Sequence, residues 1–334
     1  MGEPSVRRVA NGTDWNRRVH VGDNPAMGVT DDRVSVVIAC HTQDRLTFLV
    51  AAIESVQGQE PEPESVVVAV DHEPELLRIV TERFPELTVV ENRHDRGASG
   101  TRNSGAERTS TPLVAFLDDD ARARPGWLAA LLAPFEDPDV VCTGGHVVPA
   151  WSTSEPPWFP DEFAWVVGAS HRGLPTTRAR VRNVWSENMA VRREAFSQVG
   201  GFRVDFGKVG ATSRPEDTDL CIRLGKSAPG AAVVYVPDAV VDHHVGVDRT
   251  RFGFFLKRCY LEGRGKVELA RHNEGGDDLG DERDYLRRTI PRGLERYVRA
   301  GVVGRDGDQL RRAGAVVGGL AAAAAGAAVS VVRR

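Results

Sequence analysis

Three consecutive carboxylates, Asp118, Asp119 and Asp120, directly follow the apolar run Leu113-Val114-Ala115-Phe116-Leu117. Left alone they would repel one another and raise each other's pKa. A divalent cation relieves that repulsion. Mg²⁺ or Mn²⁺ takes oxygen ligands and often bridges one or two carboxylates to substrate phosphates. A solvated acidic turn is the competing reading of the triplet by itself. A second acidic group, Glu216-Asp217-Thr218-Asp219, stands behind Ser213 and Pro215. Ser213 as N-cap, a proline in the opening turn and acids beside it form a helix-start pattern, which dipole effects alone explain. The chemical reading is that Asp217 is a general base, taking the proton of a weakly nucleophilic hydroxyl as a new bond forms. Asp219 falls in the same turn and is its rival. Two histidines, His243 and His244, follow Val240-Val241-Asp242; either can complete a metal site, with Asp242 orienting the ring. They would point to opposite faces of a strand.

Short apolar runs position these groups. Val34–Cys40, Ser65–Val70, Leu87–Val90 and Leu113–Leu117 read as strands, alternating with helical patterns over Leu46–Val56, Leu76–Phe84 and around Arg102–Ala106. This β-α alternation implies a mainly parallel, doubly wound sheet with right-handed crossovers. Ligands of such sheets bind beyond the carboxyl ends of the strands. The polar loop His41–Arg45, Asp71 and the acidic triplet all lie there. Asp71 can accept hydrogen bonds from a ribose hydroxyl or a base N–H, or simply form an Asx turn. Gly97 and Gly100 permit close backbone approach, and Arg102 offers a guanidinium to a phosphate or stacked base. Beyond Asp120 the spacing suggests a helix over Trp127–Leu132 and a strand over Val140–Gly145 that ends in glycines. The aromatic stretch 151–182 reads as a lid or binding loop, or else as aromatics packed beneath a loop.

Val34–Arg45, the Asp71 position, RGASGTRNSG at Arg96–Gly105 and FLDDD at Phe116–Asp120 together resemble family 2 glycosyltransferases of the GT-A fold. The likeness extends over roughly 34–266, divided into a nucleotide-sugar half (34–120) and an acceptor half (121–266). It implies an enzyme that binds a nucleoside-diphosphate sugar, a UDP-sugar by preference, through Thr42, Arg45, Asp71, Gly97, Arg102, Asp118, Asp119 and Asn188. It also implies a D-x-D pair, Asp118 and Asp120, holding Mg²⁺ or Mn²⁺ with His243, the histidine that the family's register favours. Glu216-Asp217 resembles the family's "ED" motif, with Asp217 as base. Glu187 stands where small residues are commoner. The helix from Phe252 to Lys266 resembles one found in members acting on lipid-linked sugars, with Arg258 and Lys266 as candidates for the acceptor side. The expected reaction is metal-dependent, inverting sugar transfer to a hydroxyl of a glycan or lipid-linked saccharide. A non-catalytic sugar-nucleotide or glycan-binding protein is the alternative. A nucleotidylyltransferase would want a Gly-rich basic loop after the first strand, where HTQDR stands.

A formal charge of −4 over 334 residues leaves no nucleic-acid footprint. The four cysteines are widely spaced beside apolar residues and read as buried free thiols of a reducing, cytoplasmic compartment. Residues 1–33 read as a loosely ordered arm without a signal peptide, and 267–334 as a helical extension. The uncharged stretch Ala313–Val332 is followed by two arginines. It is long enough to cross a bilayer but rich in Ala and Gly, so a docked helix, an interfacial helix at the inner membrane face and a span all remain open.

Overall fold

Runs of β-branched residues such as Val34–Cys40 are buried on both faces because two apolar layers close on the sheet. The computed structural model describes residues 33–209, 212–272 and 280–332; of the expected N-terminal arm only Arg33 is among them. Strands β1 (Val34–Cys40), β2 (Ser65–Val70), β3 (Thr88–Glu91) and β4 (Leu113–Asp118) are parallel in the order β3-β2-β1-β4. Helices α1 (Leu46–Gln57), α2 (Pro74–Arg83) and α3 (Ala98–Ala106) connect them. Val36 and Ile38 enter one core layer, while Val37 enters the other with Phe116 and Phe202. The period of two along a strand thus feeds both layers.

The second half departs from the parallel pattern. It contains β5 (Ala121–Ala123), α4 (Trp127–Leu132), β6 (Val140–Trp151), β7 (Ala179–Val181), β8 (Asn188–Arg192), α5 (Arg193–Gln198), the ribbon β9 (Gly207–Val209) and β10 (Thr212–Arg214), α6 (Glu216–Gly225) and β11 (Ala232–Val245). The sheet continues β4-β8-β6-β11-β5, with β8 antiparallel to both β4 and β6. Asn188, expected as a donor contact, therefore opens a central strand. Strand β6 runs six residues past the expected stop at Gly145. Its glycines mark close approach: a Cβ at Gly145 would lie 1.9 Å from the Ala239 carbonyl oxygen, and one at Gly144 would lie 2.2 Å from Val184 Cβ. Ser213 belongs to β10, and α6 begins at Glu216 behind Pro215, so the expected N-cap at Ser213 is not the helix start.

The remaining helices are α7 (Phe252–His272), α8 (Gly280–Asp284), α9 (Ile290–Val303) and α10 (Gly307–Val332). The expected domain boundary at 266/267 falls inside α7, and contacts group 32–334 as one unit. Phe159 and Phe163 are buried with Phe255, Tyr297 and Val316, and Trp151, Trp158 and Trp165 pack on that cluster. The aromatic stretch is thus a satellite core under the C-terminal helices. Helices α7 and α10 meet through glycines. A Cβ at Gly263 would lie 2.0 Å from the Ala323 carbonyl oxygen, and one at Gly326 the same distance from that of Tyr260. Gly326→Leu is expected to cost about 1–3 kcal/mol, the range for overpacking, read as a lower denaturation midpoint. An unchanged midpoint would mean that α10 does not rest on α7. All four cysteines are buried and free, as their surroundings in the sequence suggest.

Candidate active site

Beyond β4 the chain turns through Asp119 and Asp120 into β5, which pairs antiparallel with β11 and sets His243 opposite Ala121. The His244 amide donates to the Asp120 carbonyl at 2.8 Å, fixing the register. His243 Nε2 consequently lies 3.3 Å from Asp120 Oδ1, with both side chains buried. His244 faces away and stacks on Phe48 at 4.0 Å between ring centroids. Strand geometry therefore separates the two histidines. Asp242 also points away from His243 and pairs with Arg124 at 2.6 Å, so it does not orient the imidazole.

Arginines surround the acidic turn. Arg45 Nη1 lies 2.8 Å from Asp119 Oδ1 and 3.0 Å from Asp120 Oδ2, and Arg249 reaches Asp120 at 3.9 Å. Burial pushes the Asp119 carboxyl up to about 7 against the pull of Arg45. Burial acts on Asp120 in the same direction, but its His243 hydrogen bond and the charges of His243, Arg45 and Arg249 outweigh it and lower the pKa. A cavity of about 320 Å³, lined by Arg45, Phe48, Asp120, His244 and Arg249 among others, opens beside this turn.

Arg102 joins the two acidic groups. Its guanidinium lies 2.5 Å from Asp118 Oδ1 and 3.7 Å from Glu216 Oε1, and its carbon sits 5.6 Å from the centroid of the Phe202 ring. This residue, expected at the base or diphosphate, is buried and bridges β4 to α6. Its neighbour Asn103 fixes the Gly200-Gly201-Phe202 turn by exchanging hydrogen bonds with the Phe202 backbone at 2.7 and 2.9 Å. Burial raises both Glu216 and Asp217, and Asp217 adds to the rise at Glu216. Asp217 Oδ1 accepts from the Thr218 amide at 2.7 Å, and Lys266 and Arg102 act on it from outside α6. Asp219 is fully buried and paired with Arg223 at 2.7 Å and Arg203 at 3.5 Å. Of the two rivals, Asp217 faces the cluster and Asp219 ties α6 down.

Other expected donor contacts are committed within the protein. Asp71 accepts from Asn92 Nδ2 at 2.8 Å and from the Gly97 amide at 3.0 Å, so it organises the loop before α3. Thr42 caps the turn at Gln43–Arg45 through the Asp44 amide, 3.3 Å away. Asn188 is buried; it accepts from Trp127 Nε1 at 2.8 Å and donates to the carbonyls of Ala239 and His146 at 2.9 and 3.1 Å. It locks β8 to its neighbours, and its side chain has no open face toward a ligand.

Among the described residues, no three His, Cys, Asp or Glu side chains converge as a metal-ligand set. Asp120 and His243 supply a facing carboxylate and imidazole, a donor pair that suits Mg²⁺ or Mn²⁺. Asp118, expected as a further ligand, pairs through Oδ1 with Arg102. The residue that sequence reasoning left without a role is Glu187. Burial pushes its carboxyl up to about 8; His243 opposes the rise, while Asp118, Asp120 and Asp217 add to it. One Glu187 oxygen is buried without a hydrogen-bond partner, as is His243 Nδ1. Both acidic groups therefore act on one buried side chain. Nothing local in Trp185-Ser186-Glu187 signals this; it follows from β8 running between β4 and β6.

Known proteins resemble this chain in sequence and fold. Residues 35–200 match the model described as glycosyl transferase family 2. A glucosyl-dolichyl phosphate glucuronosyltransferase of Haloferax volcanii is 34% identical over 239 residues, 70% of this chain and 76% of that protein. A mannosyltransferase of Pyrobaculum calidifontis, solved with GDP-Man and Mn²⁺, superposes with a TM-score of 0.55 at 17% identity, covering 90% of this chain and 88% of its own. GalNAc-T7, solved with UDP, GalNAc and Mn²⁺, gives a TM-score of 0.51 at 16% identity over 76% of this chain and 53% of its own. The fold is that of the GT-A glycosyltransferases, and the chain is a glycosyltransferase belonging to family 2.

Proposed function

We propose that this enzyme moves a sugar from a nucleoside-diphosphate sugar to a hydroxyl of a lipid-linked saccharide or related glycan, inverting the anomeric carbon. The observation that carries this reading is the Arg102 bridge from Asp118 to Glu216, which makes the strand-end acids and the helix-start acids one site. Asp120 and His243 would hold Mg²⁺ or Mn²⁺, which neutralises charge on the leaving diphosphate as a Lewis acid. Arg45 and Arg249 flank the same turn and add positive charge around that group. Asp217, its carboxyl raised by burial, would accept the proton of the incoming hydroxyl. The sugar then passes through an oxocarbenium-like transition state, in line between hydroxyl and diphosphate. The likeness to a transferase acting on glucosyl-dolichyl phosphate supports a lipid-linked acceptor.

The C-terminal helices support work at a membrane surface. Helix α10 is long and apolar enough to cross a bilayer by length and composition. It lies along α7, leaving Val317 and Val331 exposed on its outer face. On α9 the exposed residues Val298, Val302 and Val303 stand among Arg292 and Arg299, with Arg305 just past the helix end. Apolar residues flanked by arginines suit the interface of an anionic bilayer, here its cytoplasmic face. The donor reading is tested by thermal shift with UDP-, GDP- and dTDP-sugars, with and without Mn²⁺. A UDP-sugar is expected to stabilise the enzyme most, and only with the metal; a response confined to GDP-sugars would overturn the UDP assignment.

A further inference from the structure

On the acceptor side of Asp217, two cations from different elements grip one carboxylate. Arg182 follows β7, Lys266 lies on α7 and Glu282 lies on α8. Glu282 Oε2 is 2.5 Å from Arg182 Nη1, while its Oε1 is 2.8 Å from Arg182 Nη2 and 2.9 Å from Lys266 Nζ. A guanidinium fork joined by an ammonium point charge is how proteins hold phosphate oxygens. Arg182 and Lys266 are largely buried, with 17% and 20% of their side chains exposed, so the positive charge is built into the body. Glu282, by contrast, comes from a helix of five residues, none of them buried. Helix α8 runs through Tyr285–Thr289 into α9 and is anchored there by Tyr285, whose hydroxyl donates to the Glu162 carbonyl at 2.8 Å, so the ion pairs hold the exposed first turn that carries Glu282. The charge of Lys266 also opposes the rise at Asp217, the residue proposed as base, so its field reaches that end of the site. The side chain of Arg182 keeps a second acid near it, Asp281 at 3.7 Å, and Lys266 keeps Glu262 at 3.3 Å.

We propose that Arg182 and Lys266 form the binding site for the phosphate of a polyprenyl-phosphate-linked acceptor, and that Glu282 fills this site until the acceptor displaces it. The inference rests on the lipid-linked reading of the acceptor and adds the residues that would recognise it. A saccharide attached to such a phosphate presents its hydroxyls within about one sugar ring of the phosphorus. Seating the phosphate at Lys266 therefore delivers a hydroxyl toward Asp217. Displacement of Glu282 frees the first turn of α8 from its ion pairs, so acceptor binding and release of that turn are one event.

Calorimetric binding of farnesyl phosphate, farnesol and inorganic phosphate to the full chain tests the site without requiring turnover. Glu282→Gln removes the internal competitor and is expected to bind farnesyl phosphate roughly three- to tenfold more tightly than wild type. Lys266→Met is expected to bind it roughly tenfold more weakly. Inorganic phosphate should follow the same order, and farnesol should not distinguish the variants. Glu282→Gln binding farnesyl phosphate no more tightly than wild type, with its circular dichroism unchanged, overturns the proposal; so does farnesol following the charge series. Transfer to a saccharide-bearing polyprenyl phosphate is measured separately. If phosphate binding follows the series while no such acceptor takes up sugar, the lipid-linked reading of the function fails and the anion site stands.

Discussion

Asp217→Asn is expected to lower sugar transfer by roughly 10²- to 10⁴-fold, the range for loss of a general base, with affinity for the donor nucleotide nearly unchanged. The asparagine keeps the acceptor oxygen that the Thr218 amide uses, so the first turn of α6 keeps its shape. What is lost is a group able to take a proton. Asp219→Asn should behave differently. It leaves Arg223 and Arg203 without their buried partner and is expected to cost about 1–3 kcal/mol of stability, while the folded enzyme keeps its turnover. Steady-state transfer, donor titration and denaturation midpoints on both variants separate the two roles. Asp217→Asn turning over at the wild-type rate would place the base elsewhere.

Asp120→Ala should produce the second large effect, on the donor rather than the hydroxyl. Its carboxylate faces His243 Nε2 at 3.3 Å and is the oxygen donor proposed beside that imidazole. Its removal is expected to weaken metal affinity by more than roughly 10–100-fold, the usual cost of losing an outer-shell partner alone. Mn²⁺-dependent stabilisation by the donor should disappear with it. His243→Ala should give the same signature through the other donor. Asp118→Asn should have a smaller effect on metal affinity, because the Asp118 carboxylate is spent on Arg102. Isothermal titration of Mn²⁺ with nucleotide present distinguishes the three. Unchanged metal dependence in Asp120→Ala would remove that residue from the metal site.

The first half of the fold was legible because each strand is an uninterrupted apolar run bounded by polar turns, and each run feeds two core layers. Val34–Cys40 and Ser65–Val70 begin and end where their residue types change. The second half was less so, since its strands depend on partners distant in the chain. Strand β8 opens on a polar residue, Asn188, whose amide is satisfied by Trp127, His146 and Ala239, and no local pattern reveals that. The glycines at 144 and 145 look like a stop in one dimension and are sites of close approach in three. Within the candidate site, Asp120, Asp217 and His243 were nominated by residue type and motif. Glu187, Arg249 and the Arg182–Glu282 pair were not, because burial and charge neighbours are properties of the folded chain.

Helix α7 has a consequence for the substrate it can serve. Gly263, seated against the α10 backbone, and Lys266, whose charge reaches Asp217, lie within one turn of each other on this single rod. On the proposal that α10 lies along a bilayer, that rod would act as a caliper, setting how far above the lipid surface a headgroup must rise to react. Acceptors with longer saccharides would carry their terminal hydroxyl past Asp217, so the enzyme would choose its substrate by height as well as by chemistry.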